Sequence, residues 1–542
     1  LLVAPFVYSK VHILTWFGLV PLLVALQIGN RTRRCLFAQS LCFSSLYFGT
    51  GLFWLQPVST LGWAVLVGVY SVFTMLFCLL SPWILSLSPA RVTIVVPVLW
   101  AVLEGIRTRI PGLSMEWLTL GASGQPLAIL NLAAFGGTLV VSFAIVFVNS
   151  LVFMAVRNGL KVSSCGEKNE MDFSITKSTV VWFWWRGAGF FKGGLGYAGL
   201  ALGVYVAVFF SGRQVMDRRF AMNGETIELK IAFIDPNVSQ DKKFSRRHHK
   251  KHCEDLKRLT EEAVKRGAKI IIWPETAFPG VIKDEAELTF HELPGKQQWL
   301  RSLAMANRCY VIFGSVGSRE VDGRALATNS IYLVSPNQKT KLVYGKQDLI
   351  PGGEYLPKLW ERLIPPSRKW VPMQIDYVPA RLSGGFELEL DGGESASVRV
   401  WVQPNICSEL SNPNTSGWKG GRRPGVLLNV SNENWYKQSS QPRQLWALGT
   451  LRAIENGRPL LRSSNSGING VAGPNGEQEK GEEFMSSDRT GKGVLVNLLL
   501  PLKPTKVSRI APDHFFFTVL ILACSLLIIF GRNKRKATET TK

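Results

Sequence analysis

Seven stretches of this chain are too long and too apolar to be left in water. They run at about 11–28, 35–55, 59–88, 91–106, 126–156 and 193–211, with a last one at 514–531. A helix needs roughly 20 apolar residues to cross a bilayer core. Inside that core, the backbone is satisfied only by helices or closed barrels. The pattern predicts a transmembrane helical bundle over 1–212, a further span at 514–531 and a mobile tail at 532–542. The opening residues LLVAPF are expected to be the end of another apolar helix ahead of Leu1, so that the first helix of the bundle is truncated.

Basic residues fix the expected sidedness. The chain carries 62 Lys and Arg against 39 Asp and Glu, a formal charge of +23. Such a surplus suits nucleic acid when it forms one patch. Here it gathers in alternate links. Arg31, Arg33 and Arg34 follow the first span, and Arg91 follows the third. Arg157 through Lys192 follow the fifth, and Arg532 to Lys536 follow the last. That alternation is the mark of cytoplasmic loops, and a nucleic-acid partner is set aside. It predicts that residues 212–513 lie on the far side, with the C-terminus inside. Arg107 and Arg109 fall on the outer side against this trend. Glu104, three residues before Arg107, can pair with it on one helix face, either at a functional point or as a helix-end anchor. Residues 158–190 read as a polar loop followed by an interfacial tryptophan belt. Gly199 and Gly203 make a small-xxx-small pattern that predicts close helix packing.

Between the last two spans the composition is that of a globular domain, expected over 225–510. Ile227, Leu229, Ile231 and Phe233 alternate, as in a strand with one face inward. Residues 247–266, 295–307 and 441–457 have helical spacing, the last read as amphipathic. AKIIIWPE, CYVIFGSVG, VRVWVQPNIC and GVLLNVSN read as strands, and NSIYLVSPNQKTKLVYGK as a hairpin. Strands alternating with helices predict a layered α/β domain. The eight cysteines are scattered, without zinc spacing. His248, His249 and His252 read as a solvated helix face. No metal or cofactor is expected.

Three polar groups each close a strand-like run. Cys407 follows VRVWVQPNI, Glu275 follows IIIWP and Lys346 follows LVYG. Each has an ordinary reading: a small core residue, a strand-end surface pair and a solvated hairpin lysine. Together they make a nucleophile, a base and an oxyanion stabiliser. A thiol needs a base before it attacks. A carboxylate among apolar residues has a raised pKa and can serve. A cation, with a backbone N–H after the cysteine, would steady a tetrahedral intermediate.

The segments WPET (273–276), YGKQDLIPGGEYLP (344–357), ICSE (406–409) and NVSNENWY (429–436) resemble those of the nitrilase superfamily of Glu-Lys-Cys amidases. RAIENGRPLLRSSNSG (452–467), with helices before and after the domain, makes the whole chain similar to the bacterial apolipoprotein N-acyltransferases. That resemblance implies an integral membrane α-helical bundle carrying an α/β nitrilase-like domain, an αββα sandwich, that faces the periplasm of the inner membrane. The seven spans and the expected preceding one match that family's eight. It implies Glu275 as general base, Lys346 as oxyanion stabiliser and Cys407 as nucleophile, with Glu354 and Glu409 in support. It implies a phospholipid acyl donor, a diacylated apolipoprotein acceptor, a thioester on Cys407, no cofactor and a monomer. Water must be kept from such a thioester. The family usually has tyrosine where Ser408 stands and tryptophan where Phe244 stands. Both departures bear on substrate contacts.

Further candidates for substrate or lid contacts are Trp360, Trp370 and Trp435. KLWERLIPPSRKWVPM (358–373) places two of these tryptophans among basic residues, as a gate at the lipid interface or as an ordinary surface loop. The alternative activity is that of a membrane-tethered amidase of the nitrilase type, which would share the three residues without needing an elaborate bundle.

Overall fold

The computed structural model describes residues 1–28, 32–110, 112, 114–160, 190–220, 225–243, 245–282, 296–337, 340–363, 376–380, 382–392, 395–436, 438–485, 491–502, 518, 519, 521, 522 and 525. Residues 161–189 of the loop and tryptophan group expected at 158–190, most of the span at 514–531 and the tail at 532–542 lie outside them.

The first part of the chain is helical: α1 (Val20–Gln27), α2 (Arg33–Gly51), α3 (Thr60–Leu85), α4 (Pro89–Arg107), α5 (Thr138–Leu160) and α6 (Phe190–Phe220). Among the described residues, five helical segments are long and apolar enough to cross a membrane: Lys10–Gln27, Thr60–Leu85, Pro89–Arg107, Thr138–Asn158 and Leu195–Arg218. The 26 residues of α3 rise about 39 Å at 1.5 Å each. Three details differ from the sequence expectation. The first span is a 3-10 stretch, Ser9–Trp16, followed by α1. The helix α2 is long enough to span but is not among the five, because polar and basic residues dilute its apolar run. The fifth span is broken before Thr138, where Gly137 takes φ 78°. Among the described residues, nothing lies within 4 Å of where a Cβ would stand on Gly199 or Gly203 of α6, so the close packing read from them has no partner there.

The expected Glu104–Arg107 pair is not a helix-end anchor. Both side chains are buried. Arg107 lies over the Tyr70 ring at 4.5 Å and donates to Trp117 O at 2.9 Å. Glu104 accepts from Leu120 N at 3.0 Å. The two grip successive turns of the 117–120 loop, and that loop carries Trp117 to the cavity described below.

The α/β domain holds two sheets. The larger contains β1 (Thr226–Asp235), β2 (Ile270–Ile272), β3 (Phe278–Ile282), β4 (Tyr310–Val321), β5 (Arg324–Val334) and β6 (Thr340–Gly345). It also contains β12 (Gly481–Met485) and β13 (Lys492–Pro501). Its order is β12-β13-β1-β2-β4-β5-β6, with β3 beside β4. The smaller runs β11-β10-β9-β8-β7. Its strands are β7 (Phe386–Gly392), β8 (Ser395–Ile406), β9 (Gly425–Asn432), β10 (Leu460–Asn465) and β11 (Gly470–Ala472).

Strand alternation builds the layers. Ile231 and Phe233 of β1 meet Val400, Val402 and Leu428 of the other sheet in one core. The intervening Ala232 and Ile234 face α7 (Arg246–Lys265) and α8 (Lys296–Ala306). The outer face of the smaller sheet packs on α9 (Gln441–Asn456), whose core is continuous with that of the membrane bundle. The order is helices, sheet, sheet, helix: an αββα sandwich set on a helical bundle. Contrary to its reading as amphipathic, α9 is buried all round from Leu448 to Asn456, because it has the sheet on one face and the bundle on the other. His252 on α7 also corrects the solvated-face reading. It is 3% exposed, and burial pushes its pKa down to about 3.

Candidate active site

The parallel strands place their C-terminal ends together, which is where open α/β sheets build sites. β1, β2 and β4 run parallel in one sheet, and β8, β9 and β10 in the other. Glu275 follows β2, Lys346 follows β6 and Cys407 follows β8. All three are buried and line one cavity of about 420 Å³. The structure thus brings together the carboxylate, amine and thiol that stand 71 and 61 residues apart in the sequence.

Cys407 sits at φ 52°, in the left-handed region. That conformation costs a non-glycine residue about 1–2 kcal/mol and is retained where the surroundings over-determine it. Here the surroundings are Glu409. Its Oε2 accepts from Ile406 N at 2.7 Å and from Tyr344 Oη at 2.9 Å. Its Oε1 accepts from Gln347 N at 2.7 Å and Asp348 N at 3.1 Å. One carboxylate therefore ties the cysteine turn to the loop that follows Lys346. Burial pushes its pKa up to about 7.

Lys346 is held by Glu354 at 2.8 Å. Burial would lower its pKa, but Glu354 and the other nearby acidic groups more than reverse that, so it stays an ammonium. Ile350 N in turn donates to Glu354 at 2.9 Å. Glu275 accepts from Asn329 Nδ2 at 2.6 Å, and the same amide reaches Glu354 at 3.4 Å. Lys243 Nζ donates to the main-chain oxygen of Glu275 at 2.8 Å. The next residue, Thr276, is also left-handed, with φ 44°. Burial raises the pKa of Glu275 and Glu354 adds to the rise, while Lys346, Lys243 and Asn329 pull it back. Burial and Glu275 push the Cys407 thiol up to about 12. The cavity thus holds a protonated thiol together with a carboxylate that binds protons more strongly than usual.

One wall of the cavity belongs to the bundle. Gly62, Val65, Leu66 and Val69 form one face of α3 and line it, with Trp54 and Trp117 beside them. Trp54 stands 5.0 Å from Trp117 and 5.1 Å from Tyr436, measured between ring centroids. The polar end holds the thiol, the amine and the carboxylate, and the apolar end is lined by α3.

Among the other sequence candidates, Ser408 and Trp435 also line the cavity. Phe244 and Trp370 lie outside the described residues, as does the side chain of Trp360, so the lid reading finds no structure here. Asn329, Lys243, Tyr377 and Tyr436 were not singled out from the sequence. The signal for Asn329 was available: Thr328-Asn329-Ser330 is a polar run inside an otherwise apolar strand. No group of three or more metal-ligating side chains occurs among the described residues.

Asn329→Leu tests the electrostatics. It removes a donor that stabilises the charged form of Glu275, so the pKa of Glu275 should rise further. The acid limb of the rate profile should move to higher pH, with activity lost first under acidic conditions. A limb that stays in place or moves down would break the assignment of that limb to Glu275.

Residues 245–487 match the family model described as carbon-nitrogen hydrolase, and residues 1–151 match that of the apolipoprotein N-acyltransferase N-terminal domain. The apolipoprotein N-acyltransferase of Geobacter metallireducens is 26% identical over 475 residues, covering 84% of this chain and 80% of its own. That of Brucella suis is 27% identical, covering 62% and 60%. That of Bradyrhizobium diazoefficiens is 31% identical, covering 46% and 44%. Among solved structures, an amidase from Nesterenkonia sp. aligns with a TM-score of 0.33 at 16% identity, over 50% of this chain and 90% of the amidase.

Proposed function

This chain belongs to the apolipoprotein N-acyltransferases, a membrane-bound family of the nitrilase superfamily, and on that footing we propose that it moves a fatty acyl group from a phospholipid to the N-terminal amine of a diacylated apolipoprotein through a thioester on Cys407. The observation that carries this reading is the shared cavity, with Cys407, Lys346 and Glu275 at its polar end and one face of the membrane helix α3 along its apolar side. A membrane-tethered amidase acting on a small soluble amide would have no use for that wall.

The shared cavity supports the following first half-reaction. Glu275 takes the thiol proton as the sulfur attacks the ester carbonyl carbon. Lys346 stands by the oxyanion. The carbon–oxygen bond breaks, Glu275 returns the proton to the departing glycerol oxygen, and lysophospholipid leaves. Cys407 is left as an acyl thioester in a buried site. In the second half the acceptor amine takes the acyl group, and the thiol is restored. Glu354 and Glu409 position the lysine and the cysteine turn.

The alternating basic links support a location in the bacterial inner membrane with residues 225–510 on the periplasmic side. A single chain supplies every group used here, so the working unit is a monomer.

Trapping tests the reading. The purified protein in lipid nanodiscs is given phospholipid with a labelled acyl chain. Its intact mass should rise by one acyl group, and digestion should place the label on the peptide containing Cys407. Adding a diacylated lipopeptide with a free N-terminal cysteine should remove it. No adduct, or an adduct that the lipopeptide leaves in place, would sink the proposal.

A further inference from the structure

A second cavity, of about 490 Å³, adjoins the first. Met115, Tyr377 and Ser408 line both. The two walls differ in chemistry. Where the first cavity has the apolar face of α3, the second has Gln347, Asp348 and Asn412. Its lining joins the loop after Lys346 to Gly112, Ser114 and Met115 of the segment that follows α4.

Two observations point to a ligand there. Ser408 is 7% exposed, directly follows Cys407 and lies where the cavities meet, yet its hydroxyl has no hydrogen-bond partner among the described residues. A buried hydroxyl left unpaired is costly unless something else satisfies it. Asp348 is the acidic residue of the second cavity. Its Oδ2 accepts from Asn412 Nδ2 at 2.7 Å and from Thr415 Oγ1, so the carboxylate is fixed in position at the wall.

We propose that this second cavity is the entry vestibule for the acceptor, a peptide bearing a primary ammonium at its N-terminus, and that it delivers the amine past Ser408 to the thioester while the acyl chain stays in the first cavity. The inference rests on the acyl-transfer reading above and deepens it. Asp348 attracts the ammonium, and the Ser408 hydroxyl meets the amine or the peptide group behind it. One proton leaves the ammonium for solvent. The neutral nitrogen then bonds to the thioester carbonyl carbon, and Glu275 takes the second proton. The carbon–sulfur bond breaks, and the sulfur receives that proton from Glu275, giving the amide and the free thiol. Separate approaches let the acceptor arrive without displacing the acyl chain.

The test uses two unreactive lipopeptides as inhibitors of the full-length protein in nanodiscs. One carries a trimethylated N-terminus and keeps the positive charge, while the other is acetylated and neutral. The wild type should bind the charged one about tenfold more tightly, and Asp348→Asn should erase that preference. Equal binding of both by the wild type, or a preference that survives Asp348→Asn, overturns the proposal. In a second arm, Ser408→Leu fills the junction between the cavities. Starting from preformed acyl-enzyme, discharge by lipopeptide should slow by about tenfold or more relative to discharge by hydroxylamine, which is small enough to pass. Parallel slowing of both nucleophiles overturns it. Failure of the acyl-transfer reading looks different, because then the wild type forms no acyl-enzyme at all.

Discussion

Cys407→Ala is expected to abolish both the acyl adduct and acyl transfer, with a fall in rate on the order of 10⁵–10⁶-fold. The size follows from the absence of any other route for the acyl group. Without the sulfur, Glu275 and Lys346 still polarise the site, but nothing accepts the acyl group before the amine arrives. The fold should persist. Alanine meets the same left-handed penalty as cysteine at φ 52°, and the four hydrogen bonds of Glu409 that shape the turn do not involve the thiol. The variant should therefore purify and melt like the wild type while showing no mass shift with labelled phospholipid. Labelled protein surviving the substitution would mean that another nucleophile carries the acyl group.

The second large effect is on stability. Arg452 of α9 is fully buried where the α/β domain meets the bundle. Its Nη2 donates to Glu116 Oε2 at 2.5 Å and to Glu455 Oε1 at 3.0 Å. Glu455 also accepts from Thr138 N at 2.9 Å, at the start of α5. That contact gives the break in the fifth apolar run its physical reason: the helix begins where it can offer a backbone donor to the other domain. Arg452→Leu leaves two buried carboxylates without their cation, and such a loss costs about 3–5 kcal/mol. The melting temperature should fall by about 3–4 °C. Replacing Arg452, Glu116 and Glu455 together with apolar residues of similar size should recover most of it, since a complete apolar cluster carries no unpaired charge. Activity should suffer as well, because Glu116 N donates to Ser411 O at 3.0 Å, in the turn that carries Cys407. A melting temperature within about 1 °C of wild type would show that the network does not join the two parts.

Legibility differed by kind of residue. Strand alternation gave the α/β core directly: the inward positions Ile227 to Phe233 and Val398 to Val402 are those that form it. Glu275, Lys346 and Cys407 could be named because each closes an apolar run, and such runs end at sheet edges. Glu409 could be tied to the cysteine turn by its position two residues on, but its grip on the Lys346 loop could not be seen, since the partners lie about 60 residues away. Asn329 and Lys243 were missed because a single asparagine or lysine in sequence says nothing about which carboxylate it will meet. Two local patterns misled. Gly199 and Gly203 suggested a helix contact that finds no partner among the described residues, and α9 looked amphipathic when it lies between sheet and bundle. A periodic pattern records how many faces are apolar, not how many neighbours arrive.

By itself, the sequence determined the solvents in which this chain must fold. Run length, alternation and charge placement specified a membrane bundle, a layered α/β domain and a thiol at a strand end, because these depend on neighbours within about 20 residues. Only the tertiary structure decided what that thiol can reach. It set α9 between sheet and bundle, turned one face of α3 toward Cys407 and opened a second cavity across Ser408, with Asp348 in its wall. The physical reason is that a cavity is made of surfaces from distant parts of the chain. Its shape, dielectric and charge come into being only when those surfaces close on one another.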